Sequence, residues 1–322
     1  MTDFRPGEFF VLGFDGLHEP VARLRGLAER YGLGGVCLFA RNVDGPVQIR
    51  GLTRSLKAMC PEPWFVIATD QEGGDFQRLP PPLFGTYPAA RDLKLGEAFE
   101  VGARMGQELA GLGITLDLAP VLDVDTNPDN PIINVRSFSR DPELVAAIGV
   151  EFIRGLSRHG VHACGKHFPG HGDSDTDSHL TLPTIRHDRA RLDAVELHPF
   201  SRVIDEANVS VIMPAHIVYT AIDPVRPGTY SPAVLDDLLR DQLGFAGVVL
   251  TDDMGMEGAL SQGELAENCV EAFAAGCDQL LVCEFHDLHE ACVARLGEAI
   301  EASPALKRRA AESRRRIRHT FA

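Results

Sequence analysis

Eight short apolar runs, at positions 9–13, 35–40, 65–70, 115–119, 162–167, 209–214, 247–251 and 279–283, recur along the chain. Amphipathic stretches separate them. The runs are continuously apolar rather than alternating, as in strands buried on both faces of a parallel sheet covered by helices. Eight such repeats predict a closed (β/α)₈ barrel of the TIM type, in the α/β class. Helices are expected at 47–59, 92–112, 142–158, 189–208, 232–243, 264–275 and 287–302. The clearest is 92–112, where Leu95, Phe99, Gly102, Met105, Leu109 and Leu112 share one face. A doubly wound open sheet is the structural alternative, but Gly13-Phe14-Asp15-Gly16 after the first run does not match its phosphate-binding fingerprint. No long linker, low-complexity tract or internal repeat divides the chain, and a single domain over 1–322 is expected.

A net charge of −15 argues against nucleic acid as a partner, since phosphate recognition needs clustered Lys and Arg. The one basic cluster, from Lys307 to Arg318, is interspersed with Ala and Ile at helical spacing and is expected to form a solvated helix face. Seven cysteines, without C-x-x-C spacing, suggest neither a disulfide framework nor a zinc knuckle. No signal peptide and no run of about 18 apolar residues is present, so no membrane partner and a cytoplasmic location are expected.

In a barrel of this kind the chemistry sits at the C-terminal ends of the strands. Five of the eight runs release titratable groups there. The third ends Asp70-Gln71-Glu72, the fourth leads to Asp123 and Arg136, the fifth ends Lys166-His167, the sixth leads to His216, and the seventh ends Thr251-Asp252-Asp253. Each has a structural alternative: Asp252 and Asp253 are possible helix N-caps, and Arg78 and Arg136 possible ion-pair partners. The stretch 165–179 packs three histidines, three aspartates, a lysine and three glycines into fifteen positions. Asp173, Asp175 and Asp177 alternate like the start of a calcium loop, but Ser178 and Thr184 stand where that loop needs Gly and Glu. Organic acid/base chemistry fits these residues better than a metal.

Several motifs together resemble glycoside hydrolase family 3, and within it the bacterial β-N-acetylglucosaminidase branch that recycles cell-wall fragments. They are Gly35-Val36-Cys37-Leu38-Phe39-Ala40-Arg41-Asn42, Asp70-Gln71-Glu72-Gly73-Gly74 with Gln77-Arg78-Leu79, Ala119-Pro120-Val121-Leu122-Asp123, and Arg136-Ser137-Phe138-Ser139. Lys166-His167-Phe168-Pro169-Gly170-His171-Gly172, Asp177-Ser178-His179 and Gly247 to Met254 complete the set, in the expected order over about residues 35 to 260. The segment Ile132-Ile133-Asn134-Val135 departs from the branch, which more usually has a glycine and a charged residue there, and the tip Asp173 to Thr176 is unusually acidic.

The resemblance implies a retaining exo-β-glycosidase acting on a carbohydrate, a GlcNAc-terminated saccharide or muropeptide. Asp252 would be the nucleophile, His179 the acid/base oriented by Asp177, and Asp70, Arg78, Arg136, Lys166 and His167 the groups that hold the sugar. No cofactor and no metal are implied. An imidazole that titrates near neutrality can donate and recover a proton without the burial a carboxylic acid would need. Glycines at 165, 170 and 172 are expected to give the loop backbone freedom to close over the sugar. A phosphorylase and a β-glucosidase-like specificity are the functional alternatives.

Overall fold

The computed structural model describes residues 4–174, 182–284 and 286–322. Its eight barrel strands are β1 (Phe10–Leu12), β2 (Gly35–Leu38), β3 (Val66–Thr69), β4 (Leu116–Asp117), β5 (His162–Phe168), β6 (Val211–Pro214), β7 (Val248–Val249) and β8 (Leu280–Val282). Each pairs in parallel with its neighbour in the sequence, and β1 also pairs with β8. A parallel bridge between Leu250 and Gln279 joins β7 to β8 and closes the ring. All eight expected strands are present, and the fold is a TIM-type α/β barrel.

Helices α1 (Ala22–Tyr31), α2 (Pro46–Met59), α3 (Leu95–Gly111), α4 (Pro142–Ser157), α5 (His198–Ala207), α6 (Ala233–Gln242), α7 (Leu265–Ala275), α8 (His289–Ala302) and α9 (Pro304–Phe321) accompany the strands. Helices α3 and α4 approach closely because glycines line the contact. A Cβ on Gly102 would lie 2.4 Å from the Phe152 carbonyl oxygen, and one on Gly155 would lie 2.3 Å from that of Phe99.

Two helical expectations need correction. The stretch 189–208 is not one helix. A short turn, Arg189–Arg191, passes into a loosely wound segment in which the Leu197 N–H donates to the Leu192 carbonyl five residues back, at 2.8 Å. Regular α5 begins only at His198, with Pro199 in its first turn, the position where a missing N–H costs least. The basic C-terminal cluster is helical, as α9, but it is not simply solvated. Arg316 and Ser313 bond the buried Asp278 carboxylate at 3.1 and 2.8 Å, and Arg240 completes that cage at 2.5 Å. Arg314 pairs with Glu8 at 3.0 Å. Asp278 and Glu8 precede β8 and β1, so α9 clamps the end of the barrel opposite the titratable rim. A buried carboxylate ringed by guanidinium groups is the geometry in which ion pairs survive desolvation.

Candidate active site

The C-terminal ends of the strands converge on a cavity of about 220 Å³. Asp70 leaves β3, and a two-stranded hairpin, Gln71–Gly73 against Phe76–Gln77, follows it. Gln71 fixes this hairpin. Its backbone N–H donates to Asp117 Oδ1 (3.0 Å), and its side-chain amide exchanges two hydrogen bonds, both 3.1 Å, with the backbone of Leu79. The hairpin thereby returns Arg78 onto Asp70, with a guanidinium nitrogen 3.4 Å from Oδ2.

Lys166, near the end of β5, reaches across to Asp70 Oδ1 at 2.9 Å and Glu72 Oε1 at 2.8 Å. Arg136, on the turn Asn134–Arg136, meets Glu72 with a two-pronged fork of 2.8 and 2.7 Å. Burial alone would push Glu72 toward the neutral acid, but the Arg136 and Lys166 charges hold its carboxyl well below the usual range. Burial would likewise favour a neutral Lys166, and Asp70 and Glu72 reverse that, raising its pKa. The result is a wall of fixed charges and directed N–H groups, two carboxylates against three cations.

Asp123, on the loop after β4, orients the next layer. Its Oδ2 sits 2.7 Å from Nδ1 of His167, and its Oδ1 accepts the backbone N–H of His171 at 2.7 Å. The Lys166–His167 peptide is cis, and the ladder with β6 shifts register at this point. With Nδ1 engaged, Nε2 of His167 is the nitrogen left to face the cavity. His171 is pushed down to about 4, by burial first and then by the charge of His167, so it is neutral at pH 7.

Asp252 stands on the far side, between two residues fixed by the β7–β8 seam. Thr251 N–H donates to the Gln279 carbonyl (3.1 Å), and its hydroxyl oxygen accepts the Leu281 N–H (2.9 Å). Asp253 Oδ1 accepts the N–H groups of Gly255 (3.1 Å) and Cys283 (3.0 Å). Asp253 is thus not the N-cap of a helix: the next helical turn, Glu257–Leu260, starts after Met256, and Asp253 ties its own loop to β8 instead. Asp252 lines the cavity and accepts the N–H of Asp253 at 2.8 Å. Burial would raise its pKa, but His167, His216, that N–H and Lys166 together hold it below the usual carboxylate range. His216 is itself placed by Thr229 Oγ1 (2.8 Å) and by the Asp253 carbonyl oxygen (3.2 Å), to which its Nε2–H donates.

Six of the residues expected from the sequence, Asp70, Arg78, Arg136, Lys166, His167 and Asp252, therefore line one cavity. Arg78 and Arg136 are also ion-paired, with Asp70 and Glu72, which is the structural alternative their sequence allowed. His179 and Asp177 lie outside the described residues. Of the calcium-like aspartates, Asp173 meets Thr126 Oγ1 at 2.8 Å and His187 Nε2 at 2.5 Å, while Asp175 and Asp177 lie outside the described residues. Among the described residues no cluster of three or more His, Cys, Asp or Glu is placed to hold a metal ion.

Two of the three glycines of this stretch do something other than expected. Gly172 packs so tightly that a Cβ would sit 1.8 Å from the Val124 carbonyl oxygen, and Gly165, inside β5, would put one 2.8 Å from Leu122 Cδ1. Both are required by close approach. Gly170, at φ +143°, is the one that needs the backbone freedom of glycine. Sequence reasoning left Glu72, Asp123 and His216 without roles. For Glu72 a signal existed: two residues beyond Asp70 in extended chain, it falls on the same face.

A model of the glycosyl hydrolase family 3 N-terminal domain matches residues 13–319. A β-hexosaminidase from Shewanella frigidimarina is 41% identical over 260 residues, which cover 78% of this chain and 75% of that protein. Among solved structures, a family 3 β-N-acetylglucosaminidase from a Paenibacillus species superposes with a TM-score of 0.92 at 37% identity. That match covers 98% of this chain but 61% of the other, so the chain spans about three fifths of that protein's length. Native NagZ from Neisseria gonorrhoeae superposes with a TM-score of 0.79 at 31% identity and covers 99% of both chains.

Proposed function

The chain belongs to glycosyl hydrolase family 3 and is a β-N-acetylhexosaminidase, and from that premise we propose a retaining exo-hydrolysis of terminal β-linked N-acetylglucosamine through a covalent intermediate on Asp252. One observation carries this reading: the Asp252 carboxylate and the Asp70–Lys166–Arg78 and Glu72–Arg136 groups face each other across a single small cavity. The transition state of glycoside cleavage carries positive charge at the anomeric carbon, and a carboxylate beneath the ring stabilises it and then bonds to that carbon. Asp252 suits the task because its surroundings keep it ionised and the β7–β8 seam keeps it placed.

A neutral sugar must be oriented by hydrogen bonds to its hydroxyls, which the lysine, arginine and aspartate groups supply in directed pairs. His167, oriented by Asp123, adds a further donor toward the same space. His179, with Asp177 orienting its imidazole, is the proposed acid/base: it protonates the leaving oxygen and later deprotonates the attacking water. The proposed substrate is a peptidoglycan-derived fragment ending in GlcNAc, the proposed location the cytoplasm, and the proposed catalytic unit a single domain.

The test compares an activated aryl β-GlcNAc, an alkyl β-GlcNAc and an aryl β-glucoside in phosphate-free buffer, for the wild type and His179→Ala. We expect wild-type turnover of both GlcNAc glycosides well above the glucoside. We expect His179→Ala to lose on the order of 10²-fold or more on the alkyl glycoside and much less on the aryl one, because only the alkoxide needs a proton to depart. Equal loss on both removes the acid/base role of His179. A sugar 1-phosphate product on adding phosphate makes the enzyme a phosphorylase, and preference for the glucoside overturns the substrate.

A further inference from the structure

The cavity is graded from floor to mouth. Side-chain exposure is 3% for Lys166, 6% for Glu72, 10% for Arg136 and 20% for Asp70, and reaches 40% for Arg78. Phe76, which also lines the cavity, is 40% exposed. A phenylalanine left 40% exposed at the mouth of a polar pocket is an unusual use of apolar surface.

Its position is not a loose accident of the hairpin turn. The strand Phe76–Gln77 pairs with Gln71–Gly73, whose Gln71 is pinned to Asp117 and Leu79. The Arg136 guanidinium lies 5.0 Å from the Phe76 ring centroid, and that guanidinium is itself locked in its fork with Glu72. Arg136 also approaches the Ile132 carbonyl oxygen at 3.5 Å, and Ile132 adds an apolar side chain to the same lining. Phe39, which also lines the cavity, meets two guanidinium groups, those of Arg41 and Arg78 at 4.7 and 5.3 Å, where Phe76 meets one.

We propose that Phe76, with Ile132 beside it, is a specificity-determining shelf that receives the ring of the leaving group while the polar floor holds the terminal sugar. The inference rests on the glycosidase reading above. If the sugar whose anomeric carbon meets Asp252 occupies the floor, the group beyond the scissile oxygen lies at the mouth, where Phe76 is. The apolar C–H face of a pyranose, or an aryl ring, packs on an aromatic face and removes apolar surface of both from water. The shelf therefore selects a ring-bearing aglycone and contributes nothing to a small alkyl one.

The test uses cyclohexyl and methyl β-GlcNAc, whose alcohols are both poor leaving groups, with wild type, Phe76→Ala and Phe76→Trp, and inhibition by free N-acetylglucosamine as a readout of the floor. Phe76→Ala should lower kcat/KM for the cyclohexyl glycoside by roughly 3- to 10-fold, the effect of losing part of its apolar burial. It should change the methyl glycoside and free-sugar inhibition by less than about twofold, and Phe76→Trp should restore the ring preference. Equal loss on both glycosides, or weakened free-sugar inhibition, overturns the shelf while leaving the glycosidase reading intact. A wild type that turns over neither GlcNAc glycoside overturns both.

Discussion

Asp252→Ala is expected to lower kcat by on the order of 10³-fold or more while leaving the protein folded, since it removes the proposed nucleophile, a group whose role would fall in the transition state and not in packing. The carboxylate faces the cavity and holds the N–H of Asp253, whereas the neighbouring anchors, Thr251 and Asp253, make the bonds to β8 that keep the β7–β8 seam together. The loss therefore falls on chemistry rather than on the barrel. Steady-state kinetics on an aryl β-GlcNAc glycoside, together with thermal unfolding of both proteins, checks it. Retention of more than a tenth of wild-type activity would remove Asp252 from the nucleophile's role, and a collapsed unfolding midpoint would assign it a structural one.

The second large effect is on stability. Glu72→Gln takes the anion from between two buried cations, Arg136 and Lys166, and leaves Asp70 as the nearest carboxylate for Lys166 alone. Breaking a buried ion pair by removing one partner costs about 3–5 kcal/mol, because the charge left behind stays desolvated. Denaturant unfolding should show a loss of that order. KM should rise as well, because both cations lose the contacts that aim them into the cavity. Adding Arg136→Met to Glu72→Gln should recover part of the stability without recovering KM. A Glu72→Gln protein as stable as wild type would show that the network is solvated and that its charges are not what holds the wall in place.

Much of this architecture could be read from the amino-acid sequence. Strands buried on both faces are continuous apolar runs, and all eight are where those runs lie. The rim was legible for the same reason, since a charged residue closing such a run has nowhere to go but the strand end. What escaped depended on distance in space. Helix α1 was missed because in Ala22–Tyr31 only Leu24, Leu27 and Ala28 make up the buried stripe, less than two turns of period, with Gly26 and three arginines around it. The break before Pro199 was hidden by an apolar period that continues across it. The cage around Asp278 joins residues 35 to 38 positions apart, so the arginines of α9 looked merely solvated. In the site, Asp70 and Lys166 are 96 residues apart and Glu72 and Arg136 64, and only the folded barrel turns these into pairs. Gly165 and Gly172 were misread because a sequence cannot distinguish a glycine needed for its φ, as Gly170 is, from one needed for its lack of a Cβ.

The central claim is that catalysis runs through a covalent bond to Asp252. A 2-deoxy-2-fluoro glycosyl donor with a good leaving group slows both steps but the second more, so the intermediate accumulates. Incubation with such a donor, proteolysis and mass spectrometry of the peptides should find one added glycosyl group, on the Asp252 side chain, appearing as activity is lost. A label on Asp253 or Asp123, or complete turnover to product of inverted configuration with no labelled peptide, would contradict the account.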